Sequence, residues 1–197
     1  NEDWLVNYDW PSELSWICRV LGIRFVFTST AMVFSDFATG PFTVDSEPDA
    51  AQGYGYQKRR AESRIFHQNA DALIARLGWQ IGGIDGSNTM SSHLANEMRD
   101  KGVIRASTRW LPACSFLEDT ANALAELALN ANPGLYMIDS NRGWSYLDIV
   151  RALGKKLGRG DWFFEQDDSF VFDQRMVDHR VPICDLSARL DLPPLQR

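Results

Sequence analysis

A tyrosine and a lysine four residues apart, Tyr54 and Lys58, are the side chains of this sequence best suited to moving a proton. They open a predicted helix, so they share one face a turn apart. Ala61 and Ile65 continue that stripe, which marks it as the inward face. A lysine on an inward stripe is unusual, because an ammonium is rarely buried without a partner. Chemistry offers a reason. A free tyrosine titrates at about 10, and a neighbouring ammonium favours its phenolate. A tyrosine tuned in this way can give a proton to a carbonyl oxygen or take one from an alcohol. The lysine can also hold a ribose hydroxyl. The pair by itself is a short motif that arises by chance, and the plain alternative is a surface lysine beside a packed tyrosine.

The elements that must position the pair can be read from periodicity. Asp9 and Pro11 signal a helix start, Leu14, Ile17, Cys18 and Leu21 recur at helical spacing, and Gly22 supplies a stop. Ile23 to Thr28 reads as a short buried parallel strand. It ends in Ser29-Thr30, at the carboxyl end where an open α/β sheet places its ligand. A hydroxyl there can bond the carbonyl oxygen that Tyr54 would protonate, or serve as a turn or cap. A long loop, Ser35 to Gly53, leads to the helix Tyr54–Gln68 and then to a strand over Ala72–Leu77. Gly82, Gly83 and Gly86 break the pattern. Further helices are expected over Asn88–Lys101, after a capping box at Ser115 and Glu118, and from Ser145-x-x-Asp148 onward. Leu135 to Ile138 is a strand. Alternating helices and strands predict an α/β fold with a parallel sheet.

Composition narrows the classes. Of 197 residues, 45% are apolar, enough for a sizeable core. The net charge of -6 leaves no basic stripe for nucleic acid or an anionic membrane. No apolar run is long enough to span a bilayer, and no signal-peptide pattern is visible. Three scattered cysteines, Cys18, Cys114 and Cys184, predict neither a disulfide frame nor a zinc site and fit a reducing cytoplasm. The three histidines have no partner pattern, and no metal is expected. The chain begins at Asn1 rather than Met, which reads as a processed or truncated start.

Several motifs in order resemble a known family. Phe27-Thr28-Ser29-Thr30-Ala31-Met32-Val33-Phe34 is similar to the "STDYVF" segment of extended short-chain dehydrogenases/reductases of the dTDP-4-dehydrorhamnose reductase type. Gly40-Pro41-Phe42-Thr43 with Asp45, Glu47 and Pro48 resembles that family's "GPYxEDDPxxP" loop. Tyr54-Gly55-Tyr56-Gln57-Lys58 with Ala61-Glu62 resembles its "YGxxKxxxE" helix, and Arg76-Leu77-Gly78-Trp79 with Gly82 its "RxSWxxG" strand end. Asn88 sits where the family has "NF". Asp178-His179-Arg180 and Asp185-Leu186 are similar to its "RP…LD" ending.

The resemblance implies NAD(P)H-dependent reduction of a nucleotide-activated keto-sugar. It implies Thr30, Tyr54 and Lys58 as catalytic residues, with Tyr54 and Lys58 also touching the NADP or NAD cofactor. Trp79 and Asn88 would bind the nucleotide-sugar substrate, and a homodimer is the candidate assembly. It further implies the C-terminal part of a Rossmann-like sheet over residues 1–86, rejoined by 117–139. Residues 87–116 and 140–197 would form a smaller mixed α/β substrate-binding lobe. Two departures stand out. The family's Asp-Tyr is Ala31-Met32 here, which bears on sugar specificity. The family's opening strand and G-x-x-G-x-x-G phosphate turn are not found in these residues, so the chain reads as the C-terminal part of a longer reductase. The other readings are a non-catalytic nucleotide-binding or regulatory relative of the same fold, and a fragment that folds only on pairing with another chain.

Overall fold

The structure, a computed structural model, describes residues 2–83 and 86–195; Ile84 and Asp85 of the glycine-rich break lie outside the described residues. The chain opens with α1 (Glu2–Trp4), a π-helical turn (Leu5–Asp9) and α2 (Trp10–Val20). Next come β1 (Val26–Thr30), α3 (Gly53–Gln68), β2 (Leu73–Leu77), β3 (Trp79–Ile81) and α4 (Met90–Lys101). They are followed by β4 (Ile104–Ala106), β5 (Trp110–Leu111), β6 (Cys114–Phe116) and α5 (Leu117–Asn130). The rest is β7 (Gly134–Ile138), α6 (Tyr146–Lys156), β8 (Phe164–Gln166) and β9 (Phe172–Asp173).

The main sheet has the order β1-β2-β7, and both pairings are parallel. The expected α/β class with a parallel sheet is what forms. Both faces of the sheet are covered, which explains why β2 reads as a nearly unbroken apolar run. Leu73 and Ala75 pack with Ala123 and Leu127 of α5. Ile74, on the other face, packs with Ala61 and Ile65 of α3 and with Phe27 of β1. Each buried Leu or Ile here contributes about 1.5–3 kcal/mol. Arg24 donates to the carbonyls of Leu127 and Ala131 at the end of α5, where a cation complements the helix dipole.

A second core forms around α6, whose Ile149, Val150 and Leu153 meet Leu94 of α4 and Ile104 of β4. The helix expected from Ser145 opens with a capping box: Ser145 Oγ accepts from the Asp148 N–H at 3.2 Å, and the Asp148 carboxylate accepts from the Ser145 N–H at 3.3 Å. Three two-stranded parallel pairs, β3-β6, β4-β8 and β5-β9, complete the described strands.

Some boundaries differ from expectation. The first strand runs two residues past Thr28, because pairing with β2 continues to Thr30 opposite Leu77. Ser115 is not a helix cap. Pairing with Gln80 draws it into β6, its hydroxyl meets the Thr120 hydroxyl at 2.6 Å, and Phe116 precedes the helix. Helix α4 starts at Met90, with the Thr89 hydroxyl rather than Asn88 as its cap. Helix α2 forms as predicted but with its faces inverted. Ser12 and Ser15 are buried, whereas Leu14 is 53% and Leu21 64% exposed.

Candidate functional site

The carboxyl ends of β1 and β2 open onto a cavity of about 690 Å³. Four of the five predicted site residues line it: Thr30, Tyr54, Trp79 and Asn88. Lys58, the fifth, lies one turn of α3 behind Tyr54.

Tyr54 stands in the first turn of α3 and is 43% exposed, so its ring edges the cavity. The helix can approach this closely because Gly55 lies against the Met32 carbonyl, where any Cβ would collide with backbone. Gly78 does the same service at the junction of β2 and β3, where a Cβ would meet the Ala113 backbone at 2.5 Å. Thr30 ends β1, and its Oγ1 accepts from the Met32 N–H at 3.1 Å. That bond uses a lone pair and leaves the Thr30 O–H free to donate.

Lys58 is only 8% exposed. Its ammonium sits 4.0 Å from the centre of the Phe27 ring and 6.0 Å from that of Tyr54. Burial pulls the lysine down to about 8, opposed by the charge of Glu62. Burial alone moves Tyr54, and it moves it upward. The expectation of a tyrosine tuned toward neutral is therefore not met in this chain, where loss of water around the phenol favours its protonated form. At neutral pH Tyr54 is a protonated donor.

Beneath the cavity, between α3 and the sheet, lies a buried ion pair. Arg76 of β2 grips Glu62 of α3 through Nε at 3.0 Å and Nη2 at 2.8 Å. The Arg76 guanidinium also lies 5.1 Å from the ring of Phe34, and Phe34 lines the cavity and stacks on Phe42 at 3.8 Å.

Sequence reasoning missed several lining residues. Trp110 packs 4.5 Å from Tyr146 and 6.2 Å from Trp79, building an aromatic wall. Gln174 reaches the cavity on a segment fastened by Asp139, a fully buried carboxylate at the end of β7. Asp139 accepts backbone N–H bonds from Cys114 at 3.0 Å, Asn141 at 2.8 Å and Met176 at 2.8 Å. Burial pushes its carboxyl up to about 7 against the pull of those donors. An acid directly after the apolar run Leu135–Ile138, at the functional end of a strand, was a signal in the sequence. Trp110 had none. Met32, the departure noted at the family's Asp-Tyr position, lines the cavity and is exposed.

The chemistry of the site fits the reactive half of a nicotinamide cofactor. Lys58 donates no hydrogen bond to a described residue, so its ammonium is available to a hydroxyl, and Tyr54 faces the same cavity. Among the described residues no group of three or more His, Cys, Asp or Glu is arranged to hold a metal ion, and no helix is long and apolar enough to cross a membrane.

Comparison with known proteins gives the family and the fold. The family model described as RmlD substrate binding domain matches residues 1–156. Over 77 residues the chain is 35% identical to the probable low-salt glycan biosynthesis reductase Agl14 of Haloferax volcanii, a match covering 39% of this chain and 26% of that protein. Among solved structures, a dTDP-4-dehydrorhamnose reductase of Clostridium acetobutylicum aligns with a TM-score of 0.71 at 20% identity, covering 82% of this chain and 56% of the other. The dTDP-4-dehydrorhamnose reductase of Bacillus anthracis, solved in complex with NADP, aligns at 0.73 and 13% identity, covering 88% and 63%. At these identities the likeness to the solved structures concerns the fold. The chain spans between half and two thirds of the length of these two solved reductases.

Proposed function

The chain belongs to the RmlD substrate binding domain family, and from that premise we propose that it is the catalytic and substrate-binding portion of a reductase acting on a nucleotide-activated keto-sugar with NADPH or NADH. The observation that carries this reading is the convergence of Thr30, Tyr54, Trp79 and Asn88 on one cavity with Lys58 behind it. In this reading residues 1–86, rejoined by 117–139, hold the catalytic half, and residues 87–116 with 140–197 form the sugar-nucleotide lobe.

Each residue has work suited to its state. Thr30 donates its free O–H to the keto oxygen and polarises the carbonyl. Tyr54 gives its proton to that oxygen, and a phenol held protonated by burial is in the right form for reduction. Lys58 offers its ammonium to a ribose hydroxyl and carries positive charge beside the Tyr54 ring as the phenol loses its proton. Trp79 and Trp110 present flat faces to the sugar nucleotide. The nicotinamide cofactor, when bound, supplies the hydride.

Tyr54→Phe tests this in the full-length protein with a nicotinamide cofactor and a panel of keto-sugar nucleotides. It removes the proton and little else, so kcat falls by about 10²–10⁴ while cofactor binding persists. Unchanged turnover would overturn the reading. A non-catalytic relative is the second reading, favoured by Met32 at the cavity in place of the family's tyrosine. Tight cofactor binding with no turnover on any member of the panel would select it.

A further inference from the structure

The layer between α3 and the sheet changes character along its length. At its lower end it is apolar: Phe27, Ala61, Ile65, Ala72 and Ile74 form one cluster. Beside this cluster, on the same helix and the same strand, it holds Lys58, Glu62 and Arg76, all buried. Such a layer costs stability unless its charges are paired, and Lys58 has no hydrogen-bonded ion pair among the described residues. Glu62 is four residues on from Lys58, the spacing that brings opposite charges together on a helix. Both Glu62 oxygens are taken by Arg76, at 3.0 and 2.8 Å. Glu62 therefore cannot swing to grip Lys58, and it acts on it through space from a fixed position.

We propose that Glu62, clamped by Arg76, is the positioning residue of this site: its carboxylate is the counter-charge that keeps the Lys58 ammonium charged beneath the cavity. This deepens the reading of Tyr54 and Lys58 given above and rests on it for its consequence in catalysis. The other groups near Lys58 do not take that role. Tyr54 is a neutral phenol, β1 contributes Phe27, Ser29 and Thr30, and from the π-helical turn Asp9 pairs with Arg64 at 3.4 Å while Tyr8 lies against the same arginine. Burial draws Lys58 down and Glu62 holds it up, leaving its charge to change near pH 8.

The test reads Lys58 itself and needs no turnover. The sequence has four lysines, Lys58, Lys101, Lys155 and Lys156, and the carbon next to each amine reports its titration by NMR, with Lys58→Arg identifying the resonance. In the full chain Lys58 titrates near 8. In Glu62→Gln its midpoint drops by a further one to three pH units, and in Glu62→Asp, which keeps the charge, it returns most of the way. A Lys58 midpoint unchanged in folded Glu62→Gln overturns the proposal. If that variant does not fold, the unsubstituted protein decides. The Glu62 side-chain carboxyl carbon shifts in step with the Lys58 titration if the two are coupled, and a carboxyl resonance indifferent to it overturns the proposal. A protein without reductase turnover whose Lys58 still responds to Glu62 would refute the proposed function and leave this inference standing. Turnover with an indifferent Lys58 would do the reverse.

Discussion

Helices α2 and α3 pack on one another, yet they distribute polarity in opposite ways. Helix α3 turns Gln57, Lys58 and Glu62 inward, while α2 buries Ser12 and Ser15 and leaves Leu14, Ile17 and Leu21 facing out. Each departs from the rule that a surface helix hides its apolar stripe. The difference lies in what surrounds the misplaced groups. On α3 two of the three buried polar side chains have hydrogen-bonding partners: Gln57 accepts from Asn7 at 2.8 Å, and Glu62 is held by Arg76. They sit on the same helix as Tyr54, which edges the cavity. On α2 the exposed apolar side chains touch no feature of the site. The serines inside it let two helices approach closely, and Ser12 bonds the Tyr8 carbonyl at 2.5 Å. A buried charge with a partner is a sign of function, whereas an exposed apolar stripe marks a surface made to be covered.

The largest expected effect strikes α3. Glu62→Ala leaves the Arg76 guanidinium buried without a counter-ion and costs about 3–5 kcal/mol of stability, measured by urea denaturation. A loss below ~1 kcal/mol would mean that the pair is not a staple between helix and sheet. Lys58→Met comes next, and its signature is pH dependence. In the folded chain Lys58 releases its proton near 8, in the unfolded chain near 10.5. Between those values the unfolded state binds more protons, so the stability that Lys58 contributes rises with pH. The methionine variant should therefore lead the unsubstituted protein at pH 7 by about 2 kcal/mol after allowance for screening, and the lead should shrink by pH 10. A constant difference at both pH values would remove the case for a strained ammonium. The smallest effect belongs to α2. Leu14→Ser and Ile17→Ser are each expected to change stability by no more than ~0.5 kcal/mol. A loss of several kcal/mol in either would show the outer face of α2 to be buried under the conditions measured.

Much of the site was legible because its signals are local. The spacing of Tyr54 and Lys58, the hydroxyl after a strand, the helix start at Ser145 and the alternation of helix and strand all operate over a few residues. Other features were invisible for a physical reason. The sequence marks Leu14, Ile17 and Leu21 as one stripe but carries no sign of which way the stripe turns, since that depends on which helix lies beneath. The Ser115 motif has the right letters for a cap, but pairing of β6 with β3 claimed the residue first.

What the sequence determined by itself was the α/β class, the helix that carries Tyr54 and Lys58, and the family to which those motifs belong. Periodicity and short spacings dictate these, and they do not require distant residues to meet. Only the tertiary structure decided that Glu62 and Arg76, 14 residues apart, close on one another beneath Lys58. It likewise decided that Trp110 joins Trp79 in one wall and that Asp139 ties three separate backbone segments together. It also reversed the expected tuning of Tyr54. The direction of that shift depends on how much water the phenol loses against how near the ammonium lies, and both are set by packing.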